Sequence, residues 1–435
     1  MSASPGKLAL RPKADLVIRN IGELLTMAGH SKEPVVKPSE ESLAIAKSQG
    51  GLCVASSSGR ICYIGVPQGL VEHVDVGSAV EVDAMGKAVV PGFVDSHTHA
   101  LFAGSREEEL SYKISGLSYL EILSRGGGIL KTVRETRLAS DETLAAETSK
   151  RLDRMTEYGT TTFEIKTGYG LSVKEEIRLL RLIGVLKDAG YDIEPTLLSA
   201  HAVPEEYSDR AGNYVDEVVL PTIDEASKAH LARFCDVFLE KGVFGRAEAR
   251  SILEYAKKKR LAPKLHADEF SDLGGAKLAS ELDAVSADHL LCASNAGIRA
   301  LAKRKTMCVL LPGTSFSSFA PAYANAREII SKGAPVALAT DMSPNSWIES
   351  MQFVISLSCY GMKMTPEEAL IAATINGAHA IRRSHEVGSI EVGKHLDAVV
   401  TSLCSYREIP YRIAGNCARV VIKKGKVVHE AQLDD

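Results

Sequence analysis

Hydrophobic positions along the chain fall into two regimes. Towards both ends they come in short alternating runs: residues 15–20 (DLVIRN), 60–65 (RICYIG), 79–83 (AVEVD), 86–90 (GKAVV), 396–401 (LDAVVT) and 418–428 (ARVVIKKGKVV). A period of two over such windows predicts β-strands. Residues 79–83 and 86–90 read as a hairpin around Ala84-Met85, and Lys424-Gly425 reads as a turn. The strands at either end are too few to stand as a domain alone. They predict one smaller β-sandwich domain built from both chain ends, residues 1–87 and 384–435. Residues 27–51, polar and supplied with Gly, Ser, Lys and Glu, read as a surface insertion with some mobility.

The middle of the chain alternates differently. Apolar runs of strand length occur at 88–94, 160–165, 193–200, 235–239, 262–266, 284–288, 307–311 and 335–340. Helical patterns lie between them, at 172–189, 246–259, 294–304, 323–332 and 365–382. Ser172 and Glu175 have capping-box spacing, and Thr365-Pro366-Glu367-Glu368 places a cap residue, then Pro, then Glu at a helix start. Strand–helix alternation of this kind predicts a parallel sheet, and about eight repeats close a (β/α)8 TIM-like barrel. The barrel is expected over residues 88–383, with a doubly wound open sheet as the alternative.

Bulk composition narrows the partners. A chain of 435 residues with 45% hydrophobic content is long enough for a large core and a second domain. Lys+Arg 51 against Asp+Glu 55 gives a net charge of -4, which supplies no basic face for nucleic acid or for an anionic membrane. No apolar run reaches spanning length. The opening residues, MSASPGKLALRPKADL, lack the apolar core and cleavage site of a secretory signal. The eight cysteines form no CxxC pair and sit mostly in apolar runs, as reduced thiols do. A cytoplasmic protein without a disulfide framework is expected.

Candidate chemistry centres on residues 88–99, AVVPGFVDSHTH. Alternation at a strand end points His97 and His99 the same way, so that two imidazoles can share one metal ion. The other apolar runs also end in polar residues: Glu164 and Lys166 to Tyr169, then His201, Glu240, His266, Asp288-His289 and Asp341. In a barrel these ends converge on one mouth. His97, His99, His266 and Asp341 offer three imidazole nitrogens and one carboxylate, a set suited to one zinc or iron ion with a position left for water. The competing readings are turn histidines, a satisfied core histidine at His266, and a helix cap at Asp341 for a stretch starting near Asn345. Gly126–Gly128 lacks the preceding strand of a phosphate loop and reads as a flexible cover over the mouth.

The motifs PGFVDSHTH, LHADE, ADH and ATD resemble those of the amidohydrolase superfamily of metal-dependent hydrolases. Longer runs are similar to the imidazolonepropionases: HTHALFAGSREEEL (97–110), SRGGGILKTVRETR (124–137), FEIKTGYGLS (163–172), LSAHAVP (198–204), LHADEFSDLGGA (265–276), LLPGTSF (310–316) and ATDMSPNS (339–346). The likeness runs through roughly residues 80–395. It implies hydrolysis of the cyclic amide C–N bond of 4-imidazolone-5-propanoate to N-formimidoyl-L-glutamate in histidine degradation, and a homodimer. It places the ligands of a single metal on His97, His99, His266 and Asp341. Contacts to the small-molecule substrate fall on Arg106, Tyr169, His201 and Glu269, and on the loop carrying Ser343, Asn345 and Ser346. The catalytic roles fall on Glu269, His289 and Asp341. Arg106 offers a planar fork to the propanoate carboxylate. The family usually carries Asn where this chain has Ser343, so Asn345 or Ser346 is expected to compensate. Two other functions fit the same barrel: a deaminase of a nucleobase-like heterocycle, which would release ammonia, and a non-catalytic scaffold, which would take up no stoichiometric metal.

Overall fold

The computed structural model describes residues 11–431, apart from 118–120, 123, 124 and 209. The first ten residues of the signal reading, and Ser124 of the Gly-rich run, lie outside the described residues. The chain opens with β1 (Leu16–Ile21), β2 (Glu23–Leu25), β3 (Ile45–Ala46), β4 (Leu52–Ser57), β5 (Arg60–Gly65), β6 (Val80–Asp83) and β7 (Ala88–Pro91). Next come β8 (Phe93–Asp95), β9 (Thr160–Lys166), β10 (Ile193–Ala200), β11 (Phe234–Leu239), β12 (Ala262–Ala267), β13 (Ser286–His289), β14 (Met307–Leu310) and β15 (Val336–Leu338). It ends with β16 (Ala398–Thr401), β17 (Ala418–Lys423) and β18 (Lys426–Glu430).

Two sheets form the sandwich, one in the order β5-β4-β1-β6 and one in the order β18-β17-β16-β7-β2-β3. Leu16, Ile18 and Val54 of the first share a buried core with Val89, Ala398 and Val420 of the second. Strands from both chain ends therefore meet in one domain. The expected hairpin at 79–90 does not form. β6 runs parallel to β1, whereas β7 pairs with β16 and β2 in the other sheet. Between them Met85 and Gly86 take φ of 53° and 72°, and this turn sends the two strands to different layers. Alternation marks a strand but not its partner.

β8 to β15 are neighbours in sequence order, and every pairing among them is parallel. The apolar run at 88–94 is not one strand, because Gly92 divides it into sandwich strand β7 and barrel strand β8. A Cβ at Gly92 would overlap the Thr161 side chain, so glycine lets the chain cross close over β9. The first and last barrel strands are joined just past their ends. Thr340 N–H donates to Asp95 Oδ1 (3.1 Å), Asp341 N–H to the His97 carbonyl (3.1 Å) and His99 N–H to the Met342 carbonyl (2.9 Å). The seam that closes the barrel thus carries three of the candidate ligands.

Both expected caps form, and one of them is a full capping box. Ser172 Oγ accepts from Glu175 N–H (3.3 Å), although the Glu175 side chain turns to Arg178 (2.8 Å) rather than back to the cap. Thr365 and Glu368 exchange both bonds of a capping box (2.8 and 3.3 Å). The single helix expected over 365–382 is broken at Thr374 (φ -127°, ψ -98°) into Pro366–Ala373 and Ile375–Ala380.

Residues 27–51 are not a loose insertion. Val35 and Leu43 are buried in the barrel core. The Asn376 side chain takes both Val35 N–H and Val35 C=O (2.9 Å each), Glu391 accepts from Gly29 N–H (3.1 Å) and Ser31 Oγ (2.9 Å), and Glu33 pairs with Lys305 (2.6 Å). A polar segment can be fastened by polar bonds, so composition alone does not signal mobility. All eight cysteines are free thiols. Among the described residues, no helix is long and apolar enough to cross a membrane.

Candidate metal centre

His97 and His99 extend past β8, His266 lies near the end of β12, and Asp341 follows β15. One ring nitrogen from each of the three histidines falls within a 4.8 Å cluster. His99 Nε2 is 3.2 Å from His97 Nε2 and 3.4 Å from His266 Nε2. Asp341 Oδ1 is 3.5 Å from Nε2 of both His97 and His99. Asp341 does not cap a helix at Asn345, since the next helix starts at Met351 with Ser350 as its cap. Its other oxygen accepts from the Thr314 hydroxyl. Burial pushes the Asp341 carboxyl up to about 6, with the Thr314 hydrogen bond opposing it.

These donors fit a metal ion. Burial, reinforced by the Lys166 charge at His97 and by His201 at His99, lowers both imidazoles well below their usual range, so both are neutral. Asp288 Oδ2 lies 2.6 Å from His97 Nδ1 and holds the proton there, which turns the Nε2 lone pair towards His99 and Asp341. The nitrogens of His97, His99 and His266 and the Asp341 carboxylate thus converge on one point where a cation can lie between them.

Beneath the histidines is a layer of buried charge that sequence reasoning did not assign. Lys166 Nζ lies 2.8 Å from Asp236, 3.1 Å from Glu164 and 3.6 Å from Asp288. Lys264 Nζ is 2.7 Å from Glu164 and donates to the Ser96 carbonyl (3.1 Å). Asp236 Oδ1 accepts from His266 N–H (3.1 Å), while Oδ2 stands 3.0 Å from His266 Nδ1, out of line for a full hydrogen bond. Burial alone would raise Asp236, but the His266 and Lys166 charges hold it well below the carboxylate range. Burial lowers and the surrounding carboxylates raise Lys166, and the carboxylates prevail. Lys166 and Lys264 thus lie buried among Glu164, Asp236 and Asp288, beneath the clustered imidazoles. Asp236 and Asp288 were hard to pick out because carboxylates at strand ends are common. Only the register shows the relation, with Asp288 opposite His266 across β12 and β13.

The remaining expected residues line the same mouth. His201 stacks on His99 (centroids 4.9 Å apart, planes 16°), and its Nδ1 lies 3.1 Å from the Gly168 carbonyl. The Tyr169 ring is 6.0 Å from His99 and 5.4 Å from His201, making an aromatic wall. The His289 ring is 5.4 Å from His97 and 5.1 Å from His266, and its Nδ1 is 3.6 Å from Glu269 Oε1. Burial, then the charges of Asp341 and Glu240, raise Glu269 well above its usual range. Glu240 accepts from Phe270 N–H (3.0 Å) and Ser271 N–H (3.3 Å), so it shapes the loop that carries Glu269. Arg106 is not an open fork. Glu109 takes its Nε (2.8 Å) and Nη2 (2.7 Å), and Nη2 also reaches Asn345 Oδ1 (3.5 Å). Ser343 Oγ accepts from Ser346 N–H (3.2 Å) and closes its own turn, while Ser346 lies fully buried beneath it. Of the three loop residues, Asn345 is the one whose side chain reaches Arg106.

An eight-stranded parallel barrel with these donors at its mouth defines a metal-dependent hydrolase of the amidohydrolase family, and the model of that family matches residues 88–428. An imidazolonepropionase from a Geobacillus species is 46% identical over 417 residues, covering 95% of this chain and 97% of its own length. One from Alkaliphilus oremlandii is 43% identical over 418 residues, covering 96% and 98%. The chain belongs to the imidazolonepropionase family. Among solved structures, guanine deaminase from E. coli has a TM-score of 0.73 at 14% identity, covering 96% of this chain and 99% of that one, a likeness of fold alone.

Proposed function

We propose that the protein hydrolyses 4-imidazolone-5-propanoate to N-formimidoyl-L-glutamate, a step of histidine degradation, with one zinc or iron ion held by His97, His99, His266 and Asp341. The observation that carries this reading is the meeting of three buried imidazoles and Asp341 at one point, in a chain whose imidazolonepropionase relatives match nearly its whole length. When bound, the ion would acidify a water molecule and polarise the ring carbonyl.

The chain's own groups supply the rest. The Tyr169 and His201 rings, 5.4 Å apart and tilted by 48°, form an aromatic side to the mouth against which a five-membered ring can pack. Water adds to the ring carbonyl carbon, the adjoining C–N bond breaks, and the departing nitrogen gains a proton. Glu269, with its raised carboxyl beside His289, is placed to take the proton from water and return it to that nitrogen. His289 makes no hydrogen bond through either ring nitrogen among the described residues, and it is placed to donate to the carbonyl oxygen as negative charge builds there. Arg106, oriented by Glu109, draws in the propanoate arm. The free thiols favour a reducing cytoplasm, and a homodimer belongs to the same reading.

A deaminase would share the barrel and the donors, but a nucleobase carries no carboxylate to meet a buried cation. The test is to follow 4-imidazolone-5-propanoate absorbance with the metal-loaded protein and to weigh the product. Gain of one water without ammonia supports ring opening. Ammonia release from guanine or cytosine, with no action on the imidazolone, would establish the deaminase instead.

A further inference from the structure

A cavity of about 800 Å³ opens beside the metal centre, lined in part by Arg106, Glu109, Lys113, Ser315, Asn345 and Trp347. It adjoins the centre at two points. Ser315 follows Thr314, whose hydroxyl bonds Asp341, and Asn345 lies in the loop that leaves Asp341. Inside, Arg106 and Lys113 are cationic and Glu109 is anionic, while Glu107 sits exposed on the rim. Glu109 is already committed to Arg106 through two bonds (2.8 and 2.7 Å) and to Gly128 N–H (2.7 Å).

Lys113 is left with neutral acceptors. Among the described residues its ammonium donates to Asn345 Oδ1 (3.0 Å) and to the Ser317 carbonyl (3.5 Å), and no carboxylate pairs with it. Burial, then the Arg106 charge, lowers its pKa. A half-buried ammonium in this state gains most from an anion. The geometry shows where that anion would sit. One neutral oxygen, Asn345 Oδ1, lies 3.0 Å from Lys113 Nζ and 3.5 Å from Arg106 Nη2.

We propose that Lys113 is a second carboxylate-binding residue, and that the propanoate of the substrate sits between Arg106 and Lys113 in the place now held by the Asn345 amide oxygen. This rests on the imidazolone reading above and extends it. Arg106, its Nε and Nη2 held by Glu109, offers an N–H from Nη2, and Lys113 a point charge on the other side. The Asn345 amide moves aside towards Ser318, whose Oγ already accepts from Nδ2 (3.4 Å). The pair selects acids over neutral heterocycles of the same ring size.

The test compares K113M, K113Q and K113R with the wild type, all metal-loaded. Turnover of 4-imidazolone-5-propanoate is measured alongside binding of 3-(imidazol-4-yl)propanoate and of its neutral amide. Loss of the charge in K113M or K113Q should raise KM about 10–100-fold with kcat within about threefold. It should weaken the acid by a similar factor, leave the amide unchanged, and be largely restored in K113R. An acid and amide weakened equally, or an unchanged acid, would overturn the proposal. Wild-type protein that binds the acid tightly but opens no ring would remove the function reading and leave the lysine standing. Wild-type turnover with K113M unaffected would remove the lysine alone.

Discussion

Asp288 Oδ2 lies 2.6 Å from His97 Nδ1, with both side chains fully buried. This contact decides which nitrogen of His97 carries the proton, and leaves Nε2 facing His99 and Asp341. Burial raises the Asp288 carboxyl, and the charges of Lys264 and of Lys166, whose Nζ is 3.6 Å from the same oxygen, oppose it. The His97 ring is therefore aimed from below the mouth.

Replacing Asp288 by Asn should weaken metal binding about 10–100-fold, because the amide can present its N–H to His97 and leave the ring in the wrong tautomer. Competition against a graded chelator reads this directly. Unchanged affinity would mean that the contact does not orient the ligand.

Glu269→Gln should separate chemistry from metal binding. Glu269 stands 3.6 Å from His289 and is not among the clustered donors. The variant should keep its metal stoichiometry while kcat falls about 10²–10⁴-fold. Loss of metal together with activity would make Glu269 a ligand rather than a proton carrier.

Asn376 fastens residues 27–51 to the barrel. Its side chain bonds Val35 N–H and C=O (2.9 Å each) and the Val336 carbonyl (2.8 Å), all buried. Asn376→Ala leaves these three main-chain groups unpaired and should cost about 2–4 kcal/mol. Denaturant unfolding measures the loss, and limited proteolysis should cut first within 27–51. A variant as stable and as resistant as the wild type would contradict the latch.

Much of this was legible in the residues. The strand–helix alternation located the barrel strands, and Thr365-Pro366-Glu367-Glu368 announced a helix start that the structure builds with a full capping box. The convergence of His97, His99, His266 and Asp341 was legible because strand-end residues are pooled by a barrel whatever their distance in sequence. What escaped depends on partners. The run at 88–94 looks like one strand because alternation continues across Gly92, and only the Thr161 side chain beneath shows why the chain must cross there. Residues 27–51 looked loose because apolar content was the measure, whereas Asn376 and Glu391 hold them by hydrogen bonds. Lys113 lay in a Glu- and Lys-containing run and gave no sign that its charge would be turned inward.

Glu391 should give the protein an acid-sensitive fastening. Burial would raise its carboxyl, but hydrogen bonds from Ser389, Gly29 N–H and Lys394 outweigh this and hold it at about 2. A folded-state pKa below the unfolded one stabilises above the unfolded value, and the contribution disappears as pH falls through about 2. With its side chain 25% exposed, solvent screening leaves about 1–2 kcal/mol at neutral pH. Urea unfolding of wild type and Glu391→Gln should differ by that amount at neutrality and converge towards pH 2. A difference that stays constant with pH would contradict the assignment.

The central claim is that His97, His99, His266 and Asp341 hold the ion that opens the imidazolone ring. The most direct measurement follows metal content and 4-imidazolone-5-propanoate absorbance together in wild type, chelated wild type and His266→Ala. Wild type should carry one metal per chain and open the ring, chelation should remove both with return on adding zinc or iron, and His266→Ala should lose both. Full metal content and full turnover in His266→Ala would contradict it.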